Sequence, residues 1–181
     1  MEAKIDFKNP SYYDNRELSW IKFDNRVLSE AKDKSIPLLE RLKFVSITSS
    51  NLDEFFMVRV ASLLDMVHAN YKKRDIAGMT AGEQLAEINS ATRELVNTQY
   101  NTYTRSLVPL MNKEGIYLVD AYEDLTKEQE KFVDRYFMES VYPVLTPMAV
   151  DASRPFPLIR NKTLNIAALL SSKQAGDETV F

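Results

Sequence analysis

The apolar positions of this chain recur at helical spacing for most of its length, and the places where that spacing falters divide it. After a polar lead-in, Trp20, Phe23, Val27, Leu28 and Ala31 recur at three- and four-residue steps, which predicts an amphipathic helix with Ser19 as its cap. Ser35 and Pro37 open a second, since proline suits a first helical turn, and Leu38, Leu39, Leu42 and Val45 carry its stripe to a break at Ser49, Ser50 and Asn51. Those side chains cap helix N-termini, and Asp53 and Glu54 follow where exposed N–H groups and the macrodipole favour negative charge. A third helix is expected to begin there and to reach about Asn70. Phe55, Phe56, Val58, Val60 and Leu63 are its apolar surface, and Arg59 lies one turn after Phe55 on the same side. Past a polar connection over 71–79, Thr80 and Glu83 have capping-box spacing ahead of a pattern through Leu85, Ile88 and Leu95 to about Met111. Four helices with short loops can enclose one core.

The pattern changes near Asn112. Gly115 reads as a helix stop, residues 116–119 as a short strand, and Thr126 with Gln129 as a second capping box opening a helix with Phe132, Val133, Tyr136 and Phe137. Pro143, Pro147, Pro155 and Pro157 make the next segment extended or turning, and residues 164–170 read as a buried strand. Gly176 and Asp177 then signal a turn, with Thr179, Val180 and Phe181 starting a returning strand. The expected fold class is α+β, mainly α. A helical bundle occupies residues 1–111 and the beginning of an α+β domain residues 112–181, cut off a few residues into a strand, as a piece of a longer chain would be.

Composition narrows the function classes. With 181 residues, 45% apolar and 27% charged, the chain is an ordinary globular one, and its net charge of −3 argues against nucleic-acid binding. The absence of cysteine excludes disulfides, thiolate metal sites and a cysteine nucleophile. Glu2 and Asp6 near the start and the lack of a long apolar run exclude an ordinary signal peptide and a membrane span.

Candidate chemistry is sparse. None of the four glycines, Gly78, Gly82, Gly115 and Gly176, sits in a phosphate-binding loop. The single histidine, His68, has no nucleophile constellation and reads as a helix-surface residue. Asp120, Glu123 and Asp124 lack a loop pattern that would fix magnesium geometry, so no metal site is expected. Arg59 either reaches a phosphate or pairs with Asp53, Glu54 or an acid on a neighbouring helix. Trp20, Phe55 and Phe56 serve either the core or an adenine ring. Arg154, Arg160 and Lys162 form a small basic cluster that faces either solvent or a polyanion. Asn51 is either a plain N-cap or a contact to a neutral part of a nucleotide, because Asp53 and Glu54 would repel phosphate while a carboxamide matches the paired donor and acceptor of adenine.

Three blocks, RELSWIKFDNRVLSEA (16–31), SSNLDEFFMVRVASL (49–63) and YPVLTPMAVDASRPFP (142–157), together resemble the amino-terminal part of the long, bacterial-type polyphosphate kinases. The resemblance implies an enzyme that reversibly moves the terminal phosphate of ATP onto inorganic polyphosphate through a phosphohistidine, with magnesium. The histidine and the magnesium ligands belong to domains outside this stretch, so no catalytic residue is assigned here. It implies that Asn51, which precedes Leu-Asp-Glu-Phe, contributes to the ATP site near the adenine. It implies a homo-oligomer, a dimer or higher, through the second (head) domain, with room for peripheral membrane association of the parent, while the lack of a signal peptide and span makes a cytoplasmic location the expectation. The isolated piece is expected to be inactive. The alternative is a helical interaction or dimerisation module with no ligand.

Overall fold

The computed structural model describes residues 6–150, 153–171 and 178–180, and the chain forms two compact units, Met1–Leu118 and Val119–Phe181. The first unit is helical. Helix α1 (Arg16–Lys32) is capped by Asn15, whose Oδ1 accepts from the Leu18 N–H at 2.9 Å while its amide donates to Asp75 at 2.6 Å. Ser19, the expected cap, lies inside the helix. Asparagine four residues earlier wins because its amide can cap the helix and bind the 71–79 connection together.

Helix α2 (Leu38–Glu54) starts after Pro37 and runs straight through Ser49, Ser50 and Asn51. No helix begins there. A π-helical turn (Phe55–Val60) joins it without a gap to α3 (Ala61–His68). Of the polar side chains that suggested a start, Asn51 instead donates to a carboxylate of α1, and just before them Thr48 donates to the Phe44 carbonyl at 2.9 Å. The rod ends at Asn70, whose φ of 55° lets Tyr71 N–H return to Met66 O at 2.9 Å and Asn70 N–H to Val67 O at 3.0 Å.

The third rod comprises α4 (Ala81–Thr102), a π turn (Tyr103–Leu107) and α5 (Val108–Lys113). The expected capping box is formed, with Thr80 N–H donating to Glu83 at 2.7 Å and Glu83 N–H to the Thr80 hydroxyl at 3.3 Å. These bonds to Thr80, and next to them the Arg74 ion pair, hold the Glu83 carboxyl below its ordinary range. Gly115, at φ 78°, ends the rod, and Ile116 N–H closes on Met111 O at 2.9 Å. The bundle therefore has three rods rather than four. Ile21, Leu28, Leu52, Phe55, Leu63, Ile88 and Leu95 form its core, and Trp20 stacks on Phe55 with centroids 4.4 Å apart and planes 6° from parallel.

In the second unit the Thr126–Gln129 capping box opens α6 (Lys127–Tyr136), followed by a π turn (Phe137–Val141) and a 3-10 turn (Tyr142–Val144) that Pro143 helps to start. The strand expected at 116–119 is absent: this backbone has no neighbouring strand among the described residues to take up its hydrogen bonds. The buried strand expected over 164–170 shrinks to β1 (Leu169–Ser171), paired antiparallel with β2 (Glu178–Val180) so that Leu169 faces Val180. Leu164 and Ile166 are 95% and 89% exposed, so no second layer covers them among the described residues. The turn at Gly176 and Asp177, and Phe181, lie outside the described residues. The described fold is thus helical with one short hairpin, and two strands of three residues do not make an α+β domain.

Candidate functional site

The polar groups of the first unit gather in a seam between α1 and the second rod. Its cross-links descend along α1 as they climb the rod, from Arg41 with Ala31 through Asn51 with Asp24 to Arg59 with Glu17, as antiparallel neighbours must. On α1 the buried positions are Glu17, Ile21, Asp24, Leu28 and Ala31, a four-three-four-three spacing that places two acids on the core face. That face is turned by about one residue from the expected one, and Phe23 points outward beneath the Arg26 guanidinium. Neither Glu17 nor Asp24 was expected from sequence, although their spacing with Ile21 and Leu28 is a signal that would have found them.

Asp24 is fully buried, and its Oδ1 accepts from Asn51 Nδ2 at 2.8 Å. Its Oδ2 has no partner among the described residues. Burial raises its pKa above the ordinary carboxylate value, opposed by the Asn51 bond. Glu17, 4% exposed, accepts on Oε1 from Arg16 Nε and Nη2, at 2.9 and 2.7 Å, and from Arg59 at 3.5 Å, while its Oε2 has no partner among the described residues. Arg59 thus follows the reading in which it answers an acid on a neighbouring helix.

Asn51 is half-buried, and the bond to Asp24 fixes which way its amide faces. One amide hydrogen is taken, and the other, with Oδ1, has no partner among the described residues. Asparagine here is a tertiary contact and not the N-cap that was one of its two expected uses. Ser49 faces elsewhere, into a groove of about 490 Å³ that it lines with Leu42, Val45, Ser46, Gln99, Tyr100 and Tyr103. Phe55 and Trp20 serve the core, while Phe56 packs edge-on against Phe55 and is partly exposed. His68 is exposed at the end of α3. Arg154, Arg160 and Lys162 are exposed in the second unit, as are Asp120, Glu123 and Asp124. Among the described residues no three histidines or acids converge to hold a metal ion, so magnesium finds no fitting ligand set here.

The chain matches known proteins over most of its length. The family description Polyphosphate kinase N-terminal domain covers residues 13–119, and Polyphosphate kinase middle domain covers residues 128–181. A polyphosphate kinase of Lactiplantibacillus plantarum is 55% identical over 163 residues, which is 90% of this chain and 23% of the relative. That of Bacillus anthracis is 50% identical over 175 residues, 96% of this chain and 25% of the relative. A crystal structure of polyphosphate kinase from Porphyromonas gingivalis superposes with a TM-score of 0.68 at 30% identity, over 81% of this chain and 20% of that one. The chain spans about a quarter of the length of the curated relatives it matches. The three blocks in register, the helical unit that carries two of them and these matches agree that the chain belongs to the polyphosphate kinase family.

Proposed function

We propose that this chain is the amino-terminal segment of an ATP:polyphosphate phosphotransferase and that it supplies part of the adenine site through Asn51. The parent enzyme reversibly transfers the terminal phosphate of ATP to inorganic polyphosphate, releasing ADP. The observation that carries the reading is the family match joined to the Asn51–Asp24 bond. A carboxamide held by one hydrogen offers a fixed donor and acceptor pair, which is what an adenine edge needs. A flexible amide would have to be ordered on binding. The phosphohistidine and the magnesium ligands lie in other domains of the parent, and His68 stays outside the chemistry.

The rest of the reading follows the family. The second unit contributes to contacts between copies in a dimer or higher oligomer, supported by the exposed Phe132, Tyr136 and Phe137. The parent works in the cytoplasm, consistent with the finding that no helix among the described residues is long and apolar enough to cross a membrane. The mixed α+β character belongs to the complete second domain.

The test uses the full-length enzyme. Asn51→Ala should lower kcat/KM for ATP by an amount equivalent to about 1–3 kcal/mol, the range for an unmatched polar contact, with polyphosphate affinity less changed. Unchanged ATP kinetics would remove Asn51 from the site. One observation favours the rival reading of a ligand-free helical module: Asn51 lines neither of the two clefts described in this unit. That reading requires Asn51→Ala to affect stability alone. The 181-residue chain by itself should make no polyphosphate from ATP. Label from ATP appearing on the chain and lost in His68→Ala would contradict this division of labour.

A further inference from the structure

About 15 Å along α2 from Asn51, a cleft of about 370 Å³ opens where the α1–α2 turn meets residues 98–106 of the third rod. Lys32, Lys34 and Arg41 line it, and among the described residues no acidic one does. Arg41 is only 5% exposed, yet among the described residues it has no carboxylate within ion-pair distance. Its Nε donates to the Ala31 carbonyl at 2.8 Å and its Nη2 to the Ser106 hydroxyl at 3.3 Å. A buried guanidinium ordinarily has an anionic partner, because desolvating a charge is costly and a carbonyl with one long hydroxyl contact offsets little of it. Two ammonium groups at the same opening add to the positive field.

The uncharged groups sort the same way. Thr98 and Thr102 spend their hydroxyl hydrogens on helix carbonyls, at 2.9 and 2.8 Å. Ser106 accepts from Arg41 and keeps its own hydrogen to give, and Asn101 adds an exposed amide. Asp33, in the α1–α2 turn, feels the Arg41 charge, but its Oδ1 is taken by the Ser35 N–H and hydroxyl at 2.8 Å each, and Ser35 rather than Arg41 is the main cause of its lowered pKa. The cleft is therefore a set of donors and cations without an acceptor of matching charge. Its volume equals about a dozen waters at ~30 Å³ each, more than a single phosphate group needs. The planar Arg41 fork and two mobile ammonium groups suit several oxygens in a row.

We propose that this cleft binds a short condensed-phosphate chain, with Arg41, Lys32 and Lys34 on its oxygens. That it takes an anion stands on its charge and geometry, whereas the choice of condensed phosphate rests on the reading of the chain as a polyphosphate kinase segment.

Calorimetric titration of the 181-residue chain with tripolyphosphate at low salt should show saturable binding at one site. Lys32→Gln/Lys34→Gln should weaken it at least about tenfold, the order expected for removing two cations from a solvent-facing site, and added salt should weaken it further. Lys72→Gln/Lys73→Gln, an equal charge change in the exposed 71–79 connection, should leave it within about twofold. Arg41 also anchors Ala31, so its variants test folding as much as binding, and the two lysines decide the matter. Equal loss in both double variants, or no saturable binding, overturns the site. Orthophosphate binding as tightly as tripolyphosphate overturns the chain preference, and ATP binding tenfold tighter than tripolyphosphate overturns the unsubstituted phosphate chain in favour of a nucleotide. Asn51→Ala should leave tripolyphosphate binding unchanged, so the outcome here is independent of the adenine contact.

Discussion

Replacing Asn51 by aspartate separates two uses of this side chain, because it alters one atom's chemistry and almost no volume. At a helix cap aspartate serves as well as asparagine, and stability would hardly change. In the seam the same substitution removes the donor to Asp24 and places a second carboxylate where a 2.8 Å bond had been. Two charges with centres about 4 Å apart repel by about 4 kcal/mol at an effective dielectric of ~20. Holding one carboxyl protonated at pH 7 is no easier: about three units above an ordinary pKa near 3.9, at 1.36 kcal/mol each, is again roughly 4 kcal/mol. Asp24 already has a raised pKa, which shortens the second route, and the partial exposure of Asn51 softens the first. A net loss of about 2–3 kcal/mol follows, on the order of 10–15 °C in Tm for a unit of this size.

The loss should depend on pH with a definite sign. A carboxylate pair sharing a proton has a folded-state pKa above its unfolded value, so between the two values the folded chain holds more protons than the unfolded one. Stability of the variant therefore falls as pH rises through that window, and its deficit shrinks toward pH 4. Urea denaturation at several pH values, followed by the fluorescence of Trp20, the only tryptophan, measures this directly. The exchange Asp24→Asn/Asn51→Asp restores one carboxylate and one amide and should recover most of the loss. A variant within about 0.5 kcal/mol of the original at pH 7, or a deficit that ignores pH, would refute the seam as described.

Thr80→Ala should destabilise the first unit by about 1 kcal/mol through loss of the cap, measured by urea denaturation. Glu83 has a lowered pKa, so the stability it contributes is present above its ordinary pKa and is lost as pH falls through the folded value; Thr80→Ala should flatten that acid limb. Phe55→Ala should cost about 3–5 kcal/mol and shift Trp20 emission to the red as the stacked ring is replaced by space. Deleting Val58, an exposed residue of the first π turn, should leave a cooperative fold, whereas deleting Ser50 turns everything beyond it by about 100° and should abolish cooperative unfolding.

What the sequence made legible was chemistry closed within a few residues. Both capping boxes, Thr80 with Glu83 and Thr126 with Gln129, and the glycine stop at Gly115 need no distant partner, and each formed as the spacing implied. Ser19, Ser49 and Asn51 carry the same cap-forming groups, but a hydroxyl or amide inside a helix can turn to its own carbonyls or to another helix, and the local sequence does not say which. The strand at 116–119 failed for a related reason, since a strand exists only with a partner. Asn51 was identifiable as a candidate, while the residue that orients it was not: Asp24 lies 27 positions away, outside the apolar stripe expected for α1.

The second rod does not break at Ser49–Asn51, but its spacing changes slightly further along. Buried positions on the second rod run Arg41, Thr48, Leu52, Phe55, Val60 and Leu63, in steps built from threes and fours except for a step of five between Phe55 and Val60. On the third rod they run Gln99, Thr102, Leu107 and Met111, with the step of five between Thr102 and Leu107. Each long step coincides with a π turn, which absorbs one residue and lets the stripe continue on the same side. Asn51 and Arg59, eight residues apart, would point about 80° away from each other on an unbroken α-helix. With one residue absorbed they are spaced like residues seven apart, about 20° off alignment, and both reach α1, one at Asp24 and the other at Glu17. The π turn is therefore what makes Asn51 and Arg59 members of one seam, and a helix forced back to eight α-helical steps would separate them.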